Sequence, residues 1–427
     1  MKAYSYKPIF QKTTLSNGVR VVTESHPFTR AANVGIFVEV GSRDEPAGRA
    51  GLTHFLEHLV FKGTRKRSSL DIAKVLDAVG GDLNAYTTRE YTCFHATTLK
   101  EHMPLSVDVL SDLVTSATLA REDFLKEREV ILQEIQMSKD NLEEYILDLF
   151  LDLSYHGQAL GIPILGTEDT LAKLKRADLA NHYNSFFRGP RIIVSAAGPV
   201  EHEHVVDIVA KKLGRVQKRS RALTRRGTRV RRVMEYIPRN SEQVHLLVGF
   251  PSNPFRSKAR FDALVVNEML GGGVTSRLYQ RIREDQGLVY SVYSFLQSFL
   301  DSGLFMVYAG TSDKNAMKVL KTIRAELAKV FKGQFSDREV EMYKTQLKGQ
   351  ILLGAEDMEN RMNSLGVNEM IFGDYRPVDE IIRDIEKVSR KSIRDFVQKY
   401  FSLKEASLMV MGDLQPAEAL RLMNLWE

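Results

Sequence analysis

The chain has 427 residues, 43% hydrophobic and 27% charged, a length and balance that suit two or three globular domains with ordinary cores. Its single cysteine, Cys93, excludes an intrachain disulfide framework and a cysteine-rich zinc site. The net charge of +6 comes from one segment: QKRSRALTRRGTRVRR (217–232) holds eight basic residues and no acid, which leaves −2 for the rest of the chain. Nucleic acid is therefore not an expected partner.

The N-terminal stretch MKAYSYKPIFQKTTLSNG has no apolar core of the kind a secretory signal needs. No apolar run is long enough to span a bilayer, so a cytoplasmic protein without a membrane partner is expected. Short apolar or alternating runs predict strands at about 18–24 and 33–41. GLTHFLEHLVFKG (51–63) then predicts a helix, with Leu52, Phe55, Leu56, Leu59 and Val60 on one stripe and Gly63 as its C-terminal cap. At about 100° per residue, His54, Glu57 and His58 share the opposite face.

That H-x-x-E-H order reverses the familiar H-E-x-x-H. Two imidazoles one turn apart can converge on one zinc, and the carboxylate between them can accept a proton from a metal-activated water. A third ligand has to come from elsewhere. The pattern LAREDFLKEREVILQEIQMSKDN (119–141) offers Glu127 and Glu134, two turns apart on one helix face. Glu134 sits among Ile131, Leu132 and Ile135, an odd place for a merely solvated charge.

Further along, a strand is predicted at about 91–99 and another at 191–197, with helices at about 105–117, 121–150 and 168–187. Cys93 reads as a small buried hydrophobe. His202 and His204 read as a helix start in solvent. The basic stretch reads as a solvated linker, with binding to an anionic surface as the competing reading. Gly271–Gly273 lack the lysine of a phosphate loop.

The two sides of the linker look alike. NHYNSFFRGPRIIVSAAGPVE (181–201) and QKYFSLKEASLMVMGDLQPAE (398–418) share one pattern, with Gly198 and Gly412 214 residues apart and Tyr183 and Tyr400 217 apart. The expected fold class is α+β: two homologous domains from an internal duplication, each a mostly antiparallel sheet packed with helices. The expected boundaries are an N-terminal metal-binding domain at 1–216, a basic linker at 217–232 and a C-terminal domain at 233–427.

THFLEHLVFKGT (53–64) together with KEREVILQEIQ (126–136) resembles the pitrilysin/insulinase family of zinc peptidases, in its half-length branch related to mitochondrial processing peptidase, as a bacterial member. The resemblance implies one Zn²⁺ per chain held by His54, His58 and Glu134, which lies 76 residues beyond His58. It implies Glu57 as the base and Glu127 as a catalytic-site residue that supports the ligands. DLNAYTTREYT (82–92) matches the family's substrate strand, so Asn84, Ala85 and Tyr86 would pair with the peptide backbone. GGGVTSRLYQRIREDQGLVYSV (271–292) takes the place of the metal helix in the second half without metal ligands, and carries Arg283 and Tyr290 at the family's spacing.

The resemblance further implies a clam-shaped homodimer, with Arg283 and Tyr290 binding substrate and assisting catalysis in trans. Short or unfolded peptides would then be cut inside the chamber. The alternative is a non-catalytic scaffold or the binding subunit of a heterodimeric processing peptidase. Read without the resemblance, Arg283 is a surface helix residue and Tyr290 a partly buried core tyrosine.

Overall fold

The computed structural model describes residues 8–426. Eleven strands form two sheets among these residues. The first contains β1 (Ile9–Thr14), β2 (Arg20–Ser25), β3 (Ala31–Val38), β4 (Asp82–Thr87), β5 (Thr92–Leu99) and β6 (Ile192–Gly198), in the order β1-β2-β6-β3-β5-β4. The second contains β7 (Met234–Pro238), β8 (Val244–Pro251), β9 (Val289–Ser298), β10 (Gly303–Thr311) and β11 (Ser407–Gly412), in the order β7-β11-β8-β10-β9. In each sheet one pair is parallel, β2 with β6 and β7 with β11, and every other pair is antiparallel. The second sheet thus repeats strands β2-β6-β3-β5-β4 of the first in order and direction. The duplication seen in the sequence is present in the topology, and the α+β fold class holds. Gly198 and Gly412 end the equivalent strands β6 and β11, both at positive φ (125° and 152°), where a side chain would be strained.

Compactness divides the chain into two units that exchange segments. One comprises the residues up to Gln136, Ile162–Arg225 and Leu353–Arg376; the other comprises Met137–Gly161, Arg226–Leu352 and the chain from Pro377 on.

In the first unit, alternate residues of each strand serve two cores, because side chains in a strand point to opposite faces in turn. Val34, Ile36 and Val38 of β3 pack with Leu52, Phe55, Leu56 and Leu59 of α1 (Leu52–Val60). Ile72 and Leu76 of α2 (Ser69–Asp77) and Val107, Leu110 and Leu113 of α3 (Met103–Ser116) join that core. On the other face, Val22, Phe37, Cys93 and Ile193 pack against Met362 and Leu365 of the helix Met358–Phe372, which comes from the second half of the sequence. Cys93 is the buried hydrophobe expected of it, and burial pushes its thiol well above the ordinary range.

The second unit is built the same way. Leu246, Val248, Phe305 and Val410 face one core, which includes residues of the helices Arg260–Gly271, Asp313–Phe331 and Arg390–Tyr400. Leu247, Met306, Tyr308 and Met409 face Ile146 and Phe150, from a helix of the first half.

Several local expectations are corrected. The single helix predicted over 121–150 is two, α4 (Arg121–Asp140) and α5 (Leu142–Ser154). Asn141 interrupts it with a side-chain oxygen that accepts from Glu144 N–H at 3.5 Å, a helix-starting contact. The helix predicted over 168–187 breaks at Leu174, and Lys175 starts a new one, its N–H donating to Asp178 at 2.8 Å. α1 ends at Val60, not at Gly63: Phe61 N–H closes back on the His58 carbonyl. His202 starts a helix but is buried, with Thr23 on its Nδ1 at 2.9 Å and Thr13 on its Nε2 at 2.8 Å.

The basic stretch is not simply solvated. Arg225 donates from Nε to Asp44 at 2.9 Å and from Nη2 to both Asp44 and the Glu90 carbonyl at 2.6 Å. Arg232 donates to the Ala406 carbonyl at 3.1 Å. Residues 219–233 otherwise run without helix or strand.

Candidate metal centre

The site forms in the first unit, where α1 meets α4. Helical spacing puts His54 and His58 one turn apart, with ring centroids 4.6 Å apart. Glu134 faces both from α4: its Oε1 lies 3.8 Å from His54 Nε2 and its Oε2 3.6 Å from His58 Nε2. One donor atom from each of the three residues falls within 4.8 Å of the other two, and among the described residues this is the group of three able to hold a metal.

Charge and burial fit a cation here. Glu134 Oε2, the oxygen that faces His58 Nε2, is a buried atom without a hydrogen-bond partner. Burial, helped by the neighbouring His58, depresses the His54 pKa to about 3, so its ring is the neutral imidazole that a metal needs. Two imidazoles and one carboxylate could serve as an open three-ligand set of the catalytic zinc type.

Glu57 shares the polar face of α1. Burial raises its pKa, partly offset by a hydrogen bond from Thr87 and by the nearness of His58. Glu127, buried on α4, accepts from His58 Nδ1 at 3.3 Å. It also pairs with Lys62 Nζ at 2.7 Å. The Nδ1 contact fixes the His58 tautomer, leaving Nε2 free to ligate, and the lysine balances the second carboxylate.

The first turn of α1 is held from outside the helix. Glu45 is buried, and its two carboxylate oxygens accept from Gly51 N–H at 3.0 Å and Thr53 N–H at 2.7 Å. Those amides lack partners within the helix. Burial pushes the Glu45 carboxyl up to about 8, and the two amides pull against that rise.

The predicted substrate strand is β4, one of the two edge strands of the sheet. Asn84 is exposed, and its side-chain oxygen accepts from Ala85 N–H at 2.8 Å. Tyr86, on the sheet face away from α1, donates to Asn363 at 2.8 Å. Arg283 and Tyr290 lie in the other compact unit and are brought together there. The Arg283 guanidinium sits 5.3 Å from the Tyr290 ring and 5.0 Å from that of Tyr279. Tyr290 is 77% exposed, so the reading of a core tyrosine is wrong.

Three residues of this neighbourhood escaped the sequence reading. Lys62 had a signal, its four-residue spacing from His58. Thr87 and Glu45 had none, because their contacts with α1 exist only in the folded chain.

Known proteins resemble the chain over most of its length. Residues 20–168 match the family described as Insulinase (Peptidase family M16), and residues 173–347 match its Peptidase M16 inactive domain. A Streptomyces coelicolor protein named an uncharacterized zinc protease is 40% identical over 96% of this chain and 91% of its own. A Bacillus subtilis protein of the same description is 34% identical over 92% of this chain and 96% of its own. The crystal structure of a Helicobacter pylori protease superposes with a TM-score of 0.89 over 95% of this chain and all of its own. At 20% identity, that likeness speaks for the fold alone. Among the described residues, no helix is long and apolar enough to cross a membrane. The chain belongs to the insulinase family of peptidases, M16.

Proposed function

We propose that the protein is a zinc-dependent endopeptidase acting on short or unfolded peptides, with one Zn²⁺ per chain. The observation that carries this reading is the convergence of His54, His58 and Glu134 within 4.8 Å, beside the carboxylate of Glu57 on the same helix face. The names of the bacterial relatives support the choice of metal.

His54 Nε2, His58 Nε2 and a Glu134 oxygen would hold the ion. When bound, zinc supplies Lewis-acid polarisation of the scissile carbonyl and a water acidic enough to attack near neutral pH. Glu57 takes the proton of the attacking water and returns it to the leaving amine. Glu127 keeps His58 in the right tautomer through Nδ1, and Lys62 holds Glu127 in place. The free edge of β4 offers backbone groups to a peptide in extended form, with Asn84, Ala85 and Tyr86 along it.

Arg283 and Tyr290 would act from a partner subunit, Arg283 on the substrate main chain and Tyr290 as a donor to the developing oxyanion. Their mutual contact and the exposure of Tyr290 suit a pair that serves a site outside its own unit. The intact ligand set, base and Arg/Tyr pair favour an enzyme over a scaffold.

The test is digestion of an unfolded-peptide library by the zinc-loaded protein and by Glu57→Gln. Cleavage by the first and none by the second, at equal zinc content, is expected. Turnover by Glu57→Gln, or no zinc bound by the wild-type protein, overturns the proposal.

A further inference from the structure

We propose that Thr87 is a positioning residue for peptide hydrolysis: its hydroxyl holds the carboxylate of Glu57, so the strand that receives the substrate also sets the base. The inference rests on the reading of Glu57 as that base.

Thr87 Oγ1 donates to Glu57 Oε2 at 2.5 Å. Among the described residues, Thr87 is the one side chain that hydrogen-bonds Glu57. A glutamate has several free torsions, and a base left to turn would spend part of its time out of reach of the water.

The direction of Thr87 is set by the strand. Leu83 and Ala85 of β4 pack into the core that contains Leu52, Phe55 and Leu56 of α1, whereas Tyr86 packs on the other face with Cys93 and Met362. With a side-chain period of two, Thr87 must point to the α1 side, where Glu57 is.

The adjoining turn fixes its position along the strand. Thr87 is the last residue of β4, and the turn beyond is tied down at three points. Ser42 N–H donates to the Thr88 carbonyl at 3.2 Å, and Arg43 N–H to the Arg89 carbonyl at 2.9 Å. Arg225 donates to the Glu90 carbonyl at 2.6 Å. A hydroxyl carried on such a support can hold a partner in place. An extended peptide adding to the free edge of β4 would therefore bind the same strand that carries the hydroxyl orienting Glu57.

The experiment compares Thr87→Val, Thr87→Ala and Thr87→Ser with the wild type, each full length and zinc-loaded, on one peptide that the wild type cleaves. Zinc content and thermal midpoint are read alongside kcat and KM. Both Val and Ala are expected to lower kcat about ten- to a hundred-fold, with KM changed less than about two-fold. Zinc content and midpoint should stay at the wild-type values, and Thr87→Ser should recover most of kcat.

Wild-type kcat in Val and Ala overturns the proposal. So does a Ser variant as impaired as Ala, or a loss that tracks zinc content or midpoint, which would mark a merely structural role. If Glu57→Gln still cleaves, the assignment of the base has failed instead, and that result is read independently of the threonine series. A wild-type protein that binds zinc and cleaves nothing overturns both.

Discussion

Glu45 accepts the backbone N–H of Thr53 at 2.7 Å, one residue before the first histidine of the candidate metal site. Its other oxygen accepts from Gly51 N–H at 3.0 Å, so one side chain serves two amides at the start of α1. An alanine here would leave both N–H groups buried without an acceptor. Glu45→Ala is expected to destabilise the metal-free protein by about 1–3 kcal/mol in urea denaturation and to weaken zinc retention against a chelator. A change of less than about 0.5 kcal/mol would show that α1 does not need this cap.

Close packing of the helix Met358–Phe372 on the first sheet depends on two glycines. A Cβ at Gly366 would overlap the Phe37 ring, and one at Gly35 would overlap Met362 Sδ. Gly366→Ala, facing a ring fixed in the core, is expected to cost about 1–3 kcal/mol. Gly349 lies within the helix Asp337–Gly354 with open space where its Cβ would stand. Gly349→Ala should therefore be neutral or stabilising by about 0.5–1 kcal/mol. Urea midpoints that rank the two variants in the opposite order would refute this view of the packing.

The part of the site that lies on one helix was legible from spacing alone. His54, Glu57 and His58 fall on one face because the helical period puts them there, and the apolar stripe that fixes the helix is local. Glu134 was legible in two steps, as one of two glutamates on a predicted helix and then through the family pattern. The break at Asn141 was not legible, since apolar periodicity continues through it. Nor was the exchange of helices between units. An apolar helix face records that it needs a partner, and not which sheet supplies one. Tyr290 was misread for a related reason: an aromatic in an alternating strand carries no mark of whether its face is covered.

Acid should loosen the same exchanged helix. Burial alone would raise the pKa of Glu24, but hydrogen bonds from His26 and from Arg361 of that helix outweigh it and hold the carboxyl at about 2, below the ordinary 4.5. Its folded pKa lies below the unfolded one. The charged form therefore stabilises the fold above about pH 4.5, and this contribution of roughly 3 kcal/mol is lost as pH falls toward 2. Glu24→Gln should be less stable than the wild type at neutral pH, and the gap should close between about pH 4.5 and 2. A gap that stays constant across that range would show that the pair does not carry the pH dependence.

The proposed sharing of sites between subunits makes a quantitative prediction. Glu57→Gln removes the base and leaves Arg283, whereas Arg283→Ala does the reverse, so each homodimer should be inactive or nearly so. After subunit exchange at equal amounts, half of the dimers are mixed, and each mixed dimer holds one site with both Glu57 and Arg283 and one site with neither. Activity should return to about a quarter of the wild-type rate per chain. If Arg283 serves the site of its own chain, every site in a mixed dimer lacks one of the two groups and mixing restores nothing. Tyr290→Phe in place of Arg283→Ala gives a second version of the experiment, in which only a hydroxyl is removed from an exposed ring and the fold is left undisturbed. Recovery with one partner variant and not the other would separate the roles of the two residues. Absence of recovery with both, in protein shown by mass to be dimeric and exchanged, would place the pair in cis or outside the reaction.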